Sequence, residues 1–145
     1  MRTPSLLFVL SILLPALALA EEGRVVTSPA KGSPEATVAA LLEAGNADAF
    51  DTFYRSLCHP DYCHGIPTDE KDKKTYMWTR FVKYAASYYT NAASRSFEVA
   101  STVPPTLEAG TTEFKLFLKS SKRDMPVPVV LKKDKGEWKV FNCSL

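Results

Sequence analysis

From Phe114 to the last residue, apolar and polar side chains alternate with a period of two. Phe114, Leu116 and Leu118 alternate with Lys115, Phe117 and Lys119. Val127, Val129 and Leu131 resume the pattern, and Trp138, Val140 and Asn142 carry it to the terminus. A period of two places one set of side chains on a buried sheet face and the other on a wetter one. Asp134-Lys135-Gly136 interrupts the pattern with turn chemistry, so the last two strands read as a hairpin. A further strand begins near Arg95, with Phe97, Val99, Ser101 and Val103 in alternation, and ends at Pro104-Pro105, which cannot continue a paired central strand. The expectation is a meander of about four antiparallel strands, near 95–103, 111–120, 126–134 and 137–145.

Upstream of Asn91 the period is helical. Ser33-Pro34-Glu35 is a helix start: Ser33 caps free backbone N–H groups, Pro34 suits the first helical position, and Glu35 faces the positive end of the helix dipole. Val38, Leu41 and Leu42 form its apolar stripe and Gly45-Asn46 offers a stop. A second short helix is expected from Ala49 to Leu57, with Asp48 as its cap and Phe50, Phe53, Tyr54 and Leu57 inward. Cys58 to Pro67 is irregular. Thr68 then opens a third, longer helix reaching about Thr90, its inward set Met77, Phe81, Tyr84, Ala85 and Tyr88. Helices first and strands after is an α+β layout, with N-terminal helices packed on a curved antiparallel sheet.

The first twenty residues change the picture of where the chain works. Arg2, an apolar run from Leu6 to Leu14 and the small residues of Ala18-Leu19-Ala20 read as a secretory signal peptide over 1–20. The run is too short to span ~30 Å of hydrocarbon. The mature chain is expected to begin at Glu21 in the periplasm or outside the cell, with no integral membrane segment. Residues 21–32 are polar and aperiodic and read as a flexible leader, leaving 33–145 as a single domain. Loss of Arg2 leaves 17 basic residues (18 − 1) against 16 acidic ones. That balance argues against nucleic acid as a partner. The Lys71, Lys73 and Lys74 cluster is interleaved with Asp69, Glu70 and Asp72 and reads as a solvated helix start.

Two segments carry a resemblance. One is Ser33-Pro34-Glu35-Ala36 with Val38, Leu41, Leu42 and Asn46-Ala47-Asp48-Ala49-Phe50. The other is Pro128-Val129-Val130-Leu131-Lys132-Lys133 with Asp134-Lys135-Gly136-Glu137-Trp138-Lys139-Val140. Together they resemble the nuclear transport factor 2-like superfamily, in particular its small exported bacterial members. The resemblance implies a cone, in which a strongly curved sheet wraps around helices and often leaves a pocket at the wide end. Enzymes of that superfamily place an acidic or His base in the pocket opposite a Tyr or Asp. Here the inward strand positions are Phe97, Val99, Phe114, Leu116, Leu118, Val127, Val129, Leu131, Trp138 and Val140, and none of them titrates. No catalytic residue is assigned. Tyr54, Tyr84, Tyr88, Phe97 and Trp138 are the candidates for a ligand pocket. The expectation is a non-enzymatic binding or assembly module whose partner is a protein, a second copy or a hydrophobic small molecule. The alternative is a small pocket enzyme or carrier.

The densest chemistry is Cys58-His59-Pro60-Asp61-Tyr62-Cys63-His64, which holds both histidines. In an exported chain a disulfide is the first reading. Cys58 and Cys63 are close along the chain, while Cys143 makes the count odd and is an alternative partner for either. A bridge to Cys143 would close a loop of about 80 residues and contribute up to ~4 kcal/mol by chain entropy, against ~2 kcal/mol for the local loop. Two thiols followed by His also match c-type haem attachment, with His64 as axial ligand and four intervening residues in place of the usual two. Zinc held by Cys58, His59, Cys63 and His64 is disfavoured because adjacent residues diverge. A catalytic Cys–His pair lacks an orienting third group. No cofactor or metal is therefore expected, haem being the minority reading.

Overall fold

A computed structural model describes residues 23–63 and 76–145. The signal-peptide reading of 1–20, His64, and the first turns of the third helix with the Lys71–Lys74 cluster lie outside the described residues. The architecture is α+β, with helices on one face of an open, six-stranded antiparallel sheet. Strand β1 is Arg24–Val26, helix α1 Pro34–Asn46, and α2 is Phe50–Thr52, prolonged by a π-helical turn Phe53–Leu57. Helices α3 (Pro60–Cys63) and α4 (Tyr76–Tyr84) follow, α4 running into a 3-10 turn Ala85–Tyr88. The strands β2 (Tyr89–Asn91), β3 (Ser96–Val103), β4 (Glu113–Ser120), β5 (Arg123–Asp134) and β6 (Glu137–Cys143) complete the chain. They run β1-β3-β4-β5-β6 across the sheet, with β2 also paired to β3.

All ten strand residues expected to face inward do so, none more than 7% exposed. Their partners are set by register: Phe114 lies opposite Leu131, Leu116 opposite Val129 and Leu118 opposite Val127. The hairpin between β5 and β6 turns on Lys135 and Gly136, both at positive φ, as a two-residue turn in a twisted hairpin requires. Pro126 and Pro128 sit in β5 without breaking it. The Pro128 carbonyl accepts from Ser144 N–H at 3.3 Å, so Pro128 points toward the β6 side, as does Pro126 two residues earlier. The ladder to β4 therefore loses no donor.

Two irregularities depart from strict alternation. Between Val99 and Ser101 the register of β3 against β4 shifts, and Val103, which alternates in sequence with Phe97 and Val99, is 56% exposed. Between Val140 and Asn142 one residue of β6 is passed over, because Leu131 pairs with Val140 and Val130 with Asn142. Asn142 consequently lies exposed and Cys143 comes opposite the buried Val129. An extra residue inverts the phase of whatever follows it.

The segment expected as a flexible leader is a strand in part. Arg24, Val25 and Val26 pair with Val99, Glu98 and Phe97, and Val26 is buried. Three residues are too few to show a period, but they fill the open edge of β3. Arg24 also forms an ion pair with Glu35.

Helix α1 begins as its sequence dictates: Ser33 Oγ accepts from Ala36 N–H at 3.2 Å and Pro34 occupies the first turn. Val38, Leu41 and Leu42 are wholly buried. Thr37 Oγ1 donates to the Trp138 carbonyl at 3.1 Å and ties the helix to β6. The helix ends at Asn46, within the expected Gly45-Asn46 stop, and Gly45 is a buried residue of its last turn. A side chain there would overlap the ring of Phe81, so Gly45 is what lets α1 and α4 approach.

Asp48 does not cap α2. It adopts φ 49°, and its carboxylate accepts from Trp78 Nε1 at 2.9 Å. Asp tolerates this left-handed conformation better than most residues. The inward face of α4 runs through Trp78, Phe81, Ala85 and Tyr88, at 4%, 3%, 0% and 1% exposure, whereas Met77 is 49% exposed. Trp78 takes the inward place because Phe50, Phe53 and Phe81 surround it at ring distances of 5.4, 5.2 and 5.4 Å. The helix also stops at Tyr84 rather than Thr90, since Tyr89 and Asn91 pair with β3. Aromatic and β-branched residues such as Tyr89 and Thr90 suit a strand.

Replacing Gly45 by Ala tests the α1–α4 contact. Helix propensity favours Ala by about 1 kcal/mol, but the added methyl forces the buried Phe81 ring to move, and overpacking of this kind costs about 1–3 kcal/mol. Urea denaturation should show Gly45→Ala destabilised. A stabilised variant would mean that the two helices do not meet there.

Candidate functional site

The Cys58–Cys63 loop is held against the edge of β6. Cys58 forms a parallel bridge with Val140, and the His59 N–H donates to the Val140 carbonyl at 2.8 Å. Pro60 then starts α3, the short helix that returns the chain to Cys63. The two sulfurs lie within bonding distance, the Cα atoms 6.1 Å apart, and both residues are buried. Pairs with this Cα separation bridge without backbone movement. His59 is buried too. Its Nδ1 accepts from the Asp61 N–H at 3.2 Å, which places the ring proton on Nε2, and its ring meets Phe141 edge-on at 5.6 Å. These contacts give His59 a structural role in the turn. Among the described residues no three His, Cys, Asp or Glu side chains gather as metal ligands. The haem and zinc readings both require His64, outside the described residues.

A second set of groups surrounds Cys143. Burial pushes its thiol up to about 11. Burial, together with the Cys143 thiol, pushes the Tyr62 hydroxyl up to about 12. Tyr62 Oη lies 4.0 Å from Met77 Sδ. Tyr88 is almost completely buried, and its hydroxyl has no hydrogen-bond partner among the described residues. Burial raises its pKa; Arg123 and Arg80 oppose the shift and Cys143 adds to it.

The charges that act on Tyr88 belong to a cationic surface. The Arg123 guanidinium lies 5.9 Å from the Tyr84 ring centre and Lys83 Nζ 5.4 Å from it. The 3-10 turn is bolted to the β4–β5 turn, with Ser121 N–H donating to the Ser87 carbonyl at 2.9 Å and Ser87 and Ser120 hydroxyls 2.7 Å apart. That junction brings Arg123 over Tyr84. Among the described residues Arg80, Lys83 and Arg123 have no ion-pair partner.

Of the five residues expected to line a pocket, Tyr84 and Tyr88 belong to this surface. Tyr54 stacks on Phe50 at 5.9 Å. Phe97 is buried in the core, and Trp138 packs on Phe114 at 6.3 Å with Lys133 Nζ 5.1 Å from its ring. A separate cavity of about 280 Å³ lies at the other end of β3, between Arg24, Glu35, Val99, Thr102, Leu107 and Phe114, and none of the five lines it. Sequence reasoning missed the cationic group. Met77, Arg80 and Tyr84 stand at i, i+3 and i+7, one helix face, which was a usable signal. Arg123 is 39 residues beyond Tyr84 (123 − 84), and only the tertiary fold joins them. No family model, curated protein or solved structure matches the chain.

The cysteines give a direct test. Thiol titration of the denatured, unreduced chain should find one free group, and three after reduction. In the native protein Cys143 should alkylate slowly at pH 8. Its folded pKa, about 11, lies above the ordinary 9.0, so the unfolded chain releases its proton first. The stability it contributes is full below about pH 9 and is lost as pH rises through about 11. Cys143→Ala should flatten that alkaline decline. Rapid alkylation of the native thiol at pH 8 would contradict the raised pKa of this half-buried residue.

Proposed function

We propose that this chain is an exported, non-enzymatic binding or assembly module of the nuclear transport factor 2-like superfamily. The order of helices followed by a strand meander supports the family reading. The functional reading is carried by one observation: all ten inward strand positions are apolar and buried, none more than 7% exposed. In the superfamily's enzymes the base and its oxyanion partner face that side of the sheet. Here the side is occupied by packing, and polar chemistry sits at the rim, on α4 and the strand turns. Fold alone would not decide this, since one fold hosts many functions. A second reading, a carrier for a hydrophobic ligand, is favoured by the cavity beside β3, where Phe114, Val99 and Leu107 meet the Arg24–Glu35 ion pair. Among the described residues no helix is long and apolar enough to cross a membrane.

Gentle cross-linking in the natural host, followed by purification of the exported fraction, tests the proposal. The chain should begin at Glu21 and run in a complex of discrete mass above that of the monomer. A cytoplasmic product retaining Met1, or an exported chain that stays monomeric with an apolar small molecule bound, would overturn it. A covalent chromophore with a Soret band would instead promote Cys58, Cys63 and His64 to haem attachment.

A further inference from the structure

The surface where α4, the 3-10 turn and the β4–β5 turn meet combines features that the packing of the domain does not use. Three cations, Arg80, Lys83 and Arg123, have no counter-charge among the described residues. An aromatic face, Tyr84, lies under two of them. Within reach of the Arg123 and Arg80 charges is a hydroxyl, Tyr88 Oη, buried with no partner among the described residues. Buried polar atoms are nearly always satisfied, and an exception asks what completes it. Met77, 49% exposed, borders the same helix face and touches Tyr62.

We propose that this surface is a binding site for a small organic anion, with its oxyanion head held by Arg80 and Arg123 and its apolar body laid on Tyr84 and Met77. Guanidinium groups suit the role because their planar fork matches a carboxylate or phosphate with two parallel hydrogen bonds. Tyr88 supplies a third donor when the two arginine side chains turn toward the head, and the ligand then satisfies its hydroxyl. Lys83 adds charge at the rim. The neighbouring acids do not oppose an anion at neutral pH: Tyr62 and Cys143 both stay protonated, pushed up to about 12 and about 11 by burial. Asp124, the carboxylate next to Arg123 in sequence, is exposed. The site deepens the reading of the domain as a binding module and rests on it.

The test is a titration of the full mature chain, followed by NMR, with phenyl phosphate, benzoate, inorganic phosphate and benzylammonium. Phenyl phosphate or benzoate should bind one to one and saturably, the tighter of the two reporting the head group. Inorganic phosphate, lacking the body, should bind at least tenfold more weakly, and benzylammonium not at all. Arg80→Ala and Arg123→Ala should each weaken binding about tenfold or more, and Lys31→Ala, an exposed cation elsewhere, should leave it unchanged. Tyr88→Phe separates site from scaffold. It removes a hydroxyl without a partner in the free protein, so Tm should hold or rise while affinity falls several-fold. No saturable binding, equal binding of benzylammonium, or arginine variants that bind as well as the parent would each overturn the proposal. The titration reads the ligand class and the cross-linking reads the module, so either can fail alone.

Discussion

The apolar face of β4, β5 and β6 is the constraint that the rest of the molecule answers. Leu116, Leu118, Val129, Leu131 and Val140 are completely buried, although they belong to an open sheet with water on its other side. Each buried aliphatic side chain contributes about 1.5–3 kcal/mol relative to exposure, but only if something covers it. The helical half provides that cover. Its own apolar stripe of Val38, Leu41 and Leu42 needs burial equally, so neither half is stable without the other. Gly45 sets how closely α4 approaches α1, and the Thr37–Trp138 hydrogen bond anchors α1 to the end of the sheet.

Filling the interior has a functional consequence. A sheet face filled by ten hydrophobic side chains leaves the recognition proposed for this module to the periphery. There the chain places what the core excludes: a cationic group on α4 and the β4–β5 turn, and an ion pair at the start of α1. The Tyr88 hydroxyl lies between the two regimes, inside the packing yet felt by the charges of Arg123 and Arg80. Proteins retain such locally unfavourable groups chiefly at functional positions.

The strands were legible because one side of the sheet is dry, and a one-residue slip would expose every inward side chain at once. Ser33 was legible because capping is local, and the cysteine pair because only four residues separate its members. What escaped the sequence was decided elsewhere in the chain. Val103 and Asn142 left their expected phase because single extra residues kink β3 and β6, and those shifts are fixed by the partner strand. Met77 and Trp78 are both apolar neighbours at the head of α4. The aromatic cluster of Phe50, Phe53 and Phe81 chose between them. Strand β1 is too short to announce itself, and the pairing of Arg123 with Tyr84 depends on the junction of Ser87 with Ser120 and Ser121.

The central claim is that helices and sheet form one cooperative unit around a filled interior. Native-state amide hydrogen exchange measures this directly, because segments that open separately exchange at lower free energies. The N–H groups of Leu41 and Leu42 in α1, Leu116 and Leu118 in β4, and Leu131 in β5 should all exchange through global unfolding, at opening free energies within about 1 kcal/mol of one another. Amides of α1 that exchange several kcal/mol more readily than those of β4 would contradict the account, since the sheet would then keep its face dry without the helix.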